Sequence, residues 1–277
     1  MPTNEINKFD SAASAAKINK FDSAASAAKI NKFDSAVKTA KINNIPKHVA
    51  VIPDGNRRWA RKQGLKPWIG HQEGVNYFEK VLEKAIELKI PYLTFWGGSY
   101  DNLTKRPKIE LNFLFKVYTA QFKRIITDER IHKNQVKVNV LGRWSEVLPK
   151  ETQQAIGEAM KTTKNYNKYF LTFLLAYNGT DEMISSIQKI VKSSNPRPVK
   201  ITEKLIKENL WTKDMPAVDL VIRTGCEDDP HLSAGFMMWD TAYSQLHFTK
   251  TLFPDFFPKE FEEIIKDYSK RERRKGA

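Results

Sequence analysis

Short apolar runs alternate along most of this chain with longer stretches in which apolar positions recur every three or four residues. The run His48-Val-Ala-Val-Ile52 has no polar interruption after its histidine, which suits a strand covered on both faces. The spacing of Val75, Phe78, Val81, Leu82 and Ala85 predicts a helix over residues 74–88. Strands are predicted over 92–96, 136–141, 170–176, 219–223 and 245–248. Helices are predicted over 109–126, 151–160 and 181–191, the first with a broad apolar face. Strands separated by helices imply crossover connections and a mostly parallel sheet. The expected fold class is α/β: a single domain with a central, mostly parallel six-stranded sheet flanked by helices, over residues 45–277.

Residues 1–41 follow a different pattern. Residues 6–17 read INKFDSAASAAK, residues 18–29 repeat them letter for letter, and residues 30–41 read INKFDSAVKTAK. Asp10, Asp22 and Asp34 each precede a serine and alanines, a reasonable helix start. A twelve-residue period turns successive phenylalanines by roughly 120° on a straight helix, so Phe9, Phe21 and Phe33 form no single stripe. These three repeats read as a weakly helical or disordered extension, with a surface anchor as the sharper alternative. Each repeat carries an aspartate and none an arginine, unlike a transit peptide.

Composition narrows the class. Of 277 residues, 41% are apolar and 28% charged, ordinary for a globular protein with a core. The longest apolar stretch, residues 170–177, falls far short of the roughly 20 residues a spanning helix needs. No signal-peptide core is read at the N-terminus. The single cysteine, Cys226, excludes an internal disulfide and a multi-cysteine metal cage, and fits a reducing, cytoplasmic setting. The net charge of +14 attracts polyanions: nucleic acid, anionic lipid headgroups or phosphorylated small molecules. Residues 1–41 hold seven lysines against four acids, so most of that excess lies beyond them.

In open parallel sheets ligands bind beyond the carboxyl ends of the strands. After the first predicted strand come Asp54, Gly55, Asn56, Arg57, Arg58 and Trp59. After the second come Gly97, Gly98, Ser99, Tyr100, Asp101, Asn102 and then Arg106; after the third, Gly142 and Arg143. After the fourth come Tyr177, Asn178 and Gly179; after the fifth, Arg223, Thr224 and Gly225. Glycine permits close backbone approach, and arginine offers planar donors to phosphate oxygens. One carboxylate, Asp54, is positioned to hold a divalent cation, for which Mg²⁺ suits oxygen ligands and phosphates. Each residue alone has a plain reading. Asp54-Gly55 is a turn signal, Arg57 and Arg58 a solvated pair, Asn102 a cap, His71 a structural histidine, and Arg223 a partner for Asp219 or Glu227. Their convergence on one edge points instead to one or two phosphorylated ligands.

These residues also resemble a known family, the cis-prenyltransferases typified by undecaprenyl diphosphate synthase. The segment HVAVIPDGNRRWARKQG at residues 48–64 is similar to the family's opening signature, and Gly70-His71 follows at the family's spacing. Ser99-x-x-Asn102 with Arg106-Pro107 resembles its second motif. Asp219-Leu-Val-Ile-Arg-Thr-Gly225 with Glu227, then Ser233, Trp239 and Ala242-Tyr243, resembles the next block, and Arg271-Glu-Arg-Arg-Lys-Gly276 the ending. The resemblance spans nearly all of the chain after the repeats.

It implies an enzyme that condenses isopentenyl diphosphate onto an allylic diphosphate with Z geometry, dependent on Mg²⁺ and usually a homodimer. Asp54 is then expected to hold Mg²⁺ and assist diphosphate departure. Gly55, Asn56, Arg57 and Arg58 would cradle the allylic diphosphate, with His71 and Trp59 nearby. Asn102, with Ser99 and Asp101, would serve the isopentenyl group as it loses a proton. Arg106, Arg223, His231 and Ser233 would meet substrate phosphates, as would Arg274 and Gly276 of the tail, in some members across a dimer. The two amphipathic helices over 74–88 and 109–126 would wall an apolar tunnel for the growing chain, with Phe95 and Trp96 near its strand end.

Some positions depart from the pattern. Pro67 replaces a basic residue, Leu103 a tryptophan, and residues 99–106 carry one extra residue. The loop after the fifth strand is longer and has His231 in place of arginine. Gln245 stands where the family has a metal-site glutamate, and Asp228 and Asp229 are candidates to compensate. No Asp-Asp-x-x-Asp motif of the trans-prenyl synthases occurs. Two other readings stay open: a non-catalytic or partner-dependent subunit of a heteromeric enzyme, and a member using another prenyl acceptor. A nucleic-acid partner is not expected, because the basic residues are dispersed and no reader motif appears. A lipid product suggests peripheral contact with a membrane surface.

Overall fold

The computed structural model describes residues 44–194 and 199–271. The repeats, and the tail with Arg274 and Gly276, lie outside the described residues.

The described residues form one six-stranded sheet in the order β3-β4-β2-β1-β5-β6, with every neighbouring pair parallel. The strands are β1 His48–Ile52, β2 Tyr92–Gly98, β3 Val136–Leu141, β4 Tyr169–Leu175, β5 Leu220–Arg223 and β6 Gln245–Phe248. The helices are α1 Asn56–Lys62, α2 Ile69–Glu87, α3 Tyr100–Thr104, α4 Lys108–Ile125, α5 Glu129–Lys133, α6 Trp144–Val147, α7 Lys150–Thr163, α8 Gly179–Ser193, α9 Glu203–Asn209 and α10 Pro258–Lys270. The expected α/β class therefore holds, and the sheet is wholly parallel.

Strand β1 is central and entirely buried. Alternate side chains leave opposite faces. Val49 and Val51 join a core with Val81 and Leu82 of α2, Leu114 and Phe122 of α4, Ile156 of α7 and Phe261 of α10. Ala50 and Ile52 join a second core with Val221, Met215, Phe236 and Met237. At the amino end His48 is fully buried: Nδ1 lies 2.9 Å from the Pro216 carbonyl oxygen and Nε2 2.8 Å from Thr94 Oγ1. Burial pushes its imidazole below the ordinary value, so the ring is neutral near pH 7. Asp219 accepts the backbone N–H groups of Lys47 and His48, at 2.7 and 3.1 Å, tying β5's start to β1.

Because every strand runs the same way, all strand ends face one edge. The register along β2 slips between Trp96 and Gly98, a bulge beside that edge. The loops after β1 and β2 are thereby brought together above the sheet. Among the described residues, no helix is long and apolar enough to cross a membrane.

Candidate active site

A cavity of about 670 Å³ opens at the carboxyl edge and runs between α2 and α4. Its mouth is formed by the loop after β1 and the start of α1, with Arg106, Arg223 and Ser233. Five arginines, Arg57, Arg58, Arg61, Arg106 and Arg223, line it against a single acid, Asp54. Deeper in, the lining turns apolar: Val75 and Phe78 from α2, Leu114, Val117 and Phe122 from α4, and Phe95 and Phe173 from β2 and β4. Phe78 packs against Phe95 at 4.7 Å and Phe173 at 5.2 Å between ring centres, and Phe122 meets Phe173 at 5.3 Å, so the interior wall is aromatic.

The mouth is built on Asp54, two residues beyond β1. Its Oδ1 accepts the Gly55 N–H at 2.5 Å and lies 3.6 Å from Arg58 Nη2; its Oδ2 accepts from Arg223 Nη2 at 3.0 Å. Gly55 turns the chain at φ 100°, and a Cβ there would lie within 3.1 Å of the Leu252 backbone. That turn starts α1 at Asn56, so Arg57, Arg58 and Arg61 follow on a helix. Helix α2 packs directly on this start: a Cβ at Gly70 would lie 1.9 Å from the Asn56 carbonyl oxygen. Asn56 Nδ2 donates to the Pro53 carbonyl at 3.0 Å, and its Oδ1 is buried with no partner. Arg58 also donates to the Gly225 carbonyl and lies 3.5 Å from Glu227.

Arg223 is 8% exposed. Its Nη1 donates to the His231 carbonyl at 2.6 Å and to Ser233 Oγ at 3.1 Å, while its Nε is buried without a partner. The sequence offered Asp219 or Glu227 as its partner. The structure gives it Asp54, because Ile52 and Arg223 are paired residues of neighbouring strands.

A second polar cluster lies where α2 and α4 approach. Glu110 is 4% exposed. Its carboxylate lies 3.5 Å from His71 Nε2, 3.1 Å from Arg106 Nη1 and 3.8 Å from Arg57 Nη1. His71, then Arg106 and Arg57, hold the Glu110 carboxyl below the usual carboxylate range against the opposing effect of burial. Burial pushes His71 itself below the ordinary imidazole value. Arg106 Nη1 is 3.2 Å from His71 Nε2.

Asn102 lies on α3, and Ser99 is that helix's N-cap, its Oγ accepting the Asn102 N–H at 3.0 Å. Both line the cavity. So do Asp54, Gly55, Asn56, Arg57, Arg58, His71, Arg106, Arg223 and Ser233. Three expected residues stand outside its wall. Trp59 points its Nε1 to Asp255 Oδ1 at 2.8 Å. Asp101 is exposed and pairs with Lys105 at 3.0 Å. His231 is exposed and turns its ring to Asp229, so only its carbonyl reaches Arg223. Gln245 pairs with Leu220 at the start of β5, at the amino edge, and its Oε1 accepts from Arg271 at 3.2 Å. Within one chain it is therefore remote from Asp54. Asp228 and Asp229 are 90% and 88% exposed and pair with Lys250 and His231, so neither is turned to Asp54.

Sequence reasoning did not single out Glu110, Arg61 or Tyr118. Arg61 follows Arg57 by four residues, a helical spacing visible once α1 is recognised. Tyr118 donates to the Gly97 carbonyl at 2.8 Å, anchoring α4 to the β2 bulge.

Comparison with known proteins bears on this geometry. The family model described as "Putative undecaprenyl diphosphate synthase" matches residues 52–276. The chain belongs to that family of cis-prenyltransferases. The tritrans,polycis-undecaprenyl-diphosphate synthase (geranylgeranyl-diphosphate specific) of Pyrococcus horikoshii is 42% identical over 235 residues, 84% of this chain and 87% of the relative. The isoprenyl transferase of Thermotoga maritima is 38% identical over 234 residues, 84% of this chain and 97% of the relative. The lavandulyl diphosphate synthase of Lavandula x intermedia, solved in complex with dimethylallyl diphosphate, superposes with a TM-score of 0.76 at 29% identity, covering 84% of this chain and 99% of that one. As a cis-prenyltransferase, the protein is an enzyme that joins isopentenyl diphosphate to an allylic diphosphate.

Proposed function

We propose that the reaction occurs in the cavity between α2 and α4, with diphosphates at the arginine-rich mouth and the growing chain in the aromatic interior. The observation that carries this reading is the division of one cavity into five arginines around Asp54 and an apolar body. Ionising an allylic diphosphate leaves an allylic cation and a leaving group with about three negative charges, which fixed guanidinium groups stabilise as they build. Arg57, Arg58 and Arg223 would take the allylic diphosphate. Arg223 Nε, buried and unpartnered, is a donor left for an anion. Arg106, His71 and Ser233 would take the isopentenyl diphosphate. Asn102 and Ser99 would orient the isopentenyl group for attack at near-contact distance. Trp59, Asp101 and His231 lie outside the cavity wall, and we assign them no role in it.

Mg²⁺ fits this mouth. It is commonly held by one or two carboxylates together with substrate phosphates. Among the described residues, no three His, Cys, Asp or Glu side chains converge as a metal cage, so Asp54 would share the ion with the diphosphate. Bound there, Mg²⁺ would supply charge neutralisation to the departing diphosphate.

The Pyrococcus horikoshii relative named above carries geranylgeranyl diphosphate in its name, and we infer the same preferred starter. We further infer a homodimer. Among the described residues β6 is an edge strand; it carries the exposed Leu246, and the 90% exposed Tyr243 comes just before it. A cytoplasmic enzyme that visits a membrane surface accords with a lipid product.

The test is incubation with isopentenyl diphosphate, Mg²⁺ and, separately, dimethylallyl, geranyl, farnesyl and geranylgeranyl diphosphate, with mass spectrometry of the products. A ladder of isoprene units, longest from geranylgeranyl diphosphate and absent with Asp54→Ala, is expected. No product from any starter would overturn the reading.

A further inference from the structure

Arg143, just beyond β3, does not line the cavity, yet it reaches the helix that carries Asn102. Its guanidinium carbon lies 4.1 Å from the centre of the Tyr100 ring. Its Nε and Nη2 donate to Glu146 Oε2 at 3.0 and 2.7 Å, and its Nη1 lies 3.5 Å from Asp181 Oδ2. Two carboxylates from two helices thus hold the plane of the guanidinium over the ring. Tyr100 is the first residue of α3. Its backbone N–H donates to Asn178 Oδ1 at 3.3 Å, and Asn178 Nδ2 donates to Asp181 Oδ2 at 3.4 Å. Asn178 occupies the N-cap position of α8 but makes no cap bond there; its side chain serves α3 instead.

Helix α3 has five residues, too few to hold a helical position unaided. Leu103, 2% exposed, fixes its inner side. The Tyr100–Arg143 stack and the Asn178 bond fix its start. Ser99 and Asn102 flank that start and line the cavity. We propose that Arg143, acting through Tyr100 and with Asn178, is a positioning residue that sets Ser99 and Asn102 against the isopentenyl group. This rests on the reading of the cavity given above. Arg143 touches no substrate in it; its action is on the orientation of α3.

The test compares Arg143→Ala, Arg143→Lys, Tyr100→Ala, Tyr100→Phe and the double alanine variant in the full chain. Steady-state kcat and KM are measured, with hydrogen exchange at the amides of residues 100–105 and thermal melts to confirm folding. Arg143→Ala and Tyr100→Ala should each lower kcat about tenfold, as small misplacements of reacting groups do, with KM for the allylic starter little changed. Tyr100→Phe keeps the ring and should keep the rate. Lysine cannot lie flat on the ring between two carboxylates, so Arg143→Lys should not rescue. The double variant should be no worse than either single one, because both remove one contact. Exchange over α3 should quicken in Arg143→Ala. Unchanged kcat in a Arg143→Ala protein that otherwise folds, or losses that multiply in the double variant, would overturn the proposal. If the wild-type chain makes no product, the reading of the cavity fails, and the exchange rates still decide the clamp: unchanged protection of α3 would sink it.

Discussion

Arg223 Nη2 lies 3.0 Å from Asp54 Oδ2, across the carboxyl ends of the neighbouring strands β1 and β5. The carboxylate is about two-fifths exposed and the guanidinium side chain one-tenth. The pair therefore joins a solvent-facing acid to a buried base. Parallel register brings them together, since Ile52 and Arg223 are paired and Asp54 follows Ile52 by two residues. Removing either should silence the enzyme, and the two removals should differ in what else they do.

Asp54→Ala should lower kcat by at least about 100-fold, the scale for losing a group that stabilises developing charge. Its stability should change by less than about 1 kcal/mol, because the carboxylate is two-fifths exposed and Arg223 keeps the His231 carbonyl and Ser233 Oγ as acceptors. Arg223→Ala should lose activity comparably and also destabilise by about 1–3 kcal/mol, since the His231 carbonyl and Ser233 Oγ lose a buried donor. Product assays beside urea melts check both. An active Asp54→Ala enzyme would contradict the assignment.

Glu110 should matter although it does not line the cavity. It is the shared anion among Arg57, His71 and Arg106. Its removal as Glu110→Ala takes the shared acceptor from the partly buried Arg106 and His71, which should cost about 1–3 kcal/mol. Glu110→Gln keeps the shape but not the charge, and should lower kcat/KM about tenfold by freeing Arg106 from its charge-assisted bond. Denaturant midpoints and steady-state kinetics read the two effects. A Glu110→Ala protein as stable as wild type would refute this account of the cluster.

Stability should fall as pH falls. Burial holds His48, His71 and His247 below the ordinary imidazole value of 6.5. A depressed histidine stays neutral in the fold while the unfolded chain takes up protons. Its contribution is therefore complete above about pH 6.5 and declines below it, towards each lowered folded value. Glu110, also depressed, contributes above the ordinary carboxylate value of 4.5 and loses that contribution as pH falls through its folded value. Urea midpoints should therefore drop between pH 7.5 and 5.5 and drop again below 4.5. His48→Gln should flatten the first step. A midpoint flat from pH 7.5 to 5.5 would contradict the burial argument.

The sheet was largely legible because its strands are uninterrupted apolar runs. The bounds of β1, β3 and β6 match the hydropathy pattern, as do α4 and α8 to within two residues at each end. Helix α1 was not legible. Its seven residues include Arg57, Arg58, Arg61 and Lys62, with only Ala60 buried, so no apolar period marks it. Helix α2 begins five residues before its predicted start, at Ile69. The apolar spacing begins only at Val75, while Gly70 and Gly74, without side chains to mark a period, are needed where α2 meets Asn56. Reading the residue after each strand found most of the cavity mouth, since a parallel sheet puts all those ends together. It could not find Glu110, a lone acid near the start of a helix read for its broad apolar face; its partners lie on α1, α2 and the turn before α4. Trp59 and His231, also expected near the substrates, stand outside the cavity wall for a related reason. Neighbours in sequence of true lining residues, they are turned away by the helix α1 and by the loop bond to Arg223.

The most direct measurement is photolabelling with a geranylgeranyl diphosphate analogue carrying a diazirine near its tail, followed by peptide mapping. Labels are expected on α2 and α4, around Phe78 and Phe122, and unlabelled geranylgeranyl diphosphate should suppress them. Labels elsewhere, or labels that the unlabelled compound leaves in place, would contradict the claim that this cavity holds the growing chain.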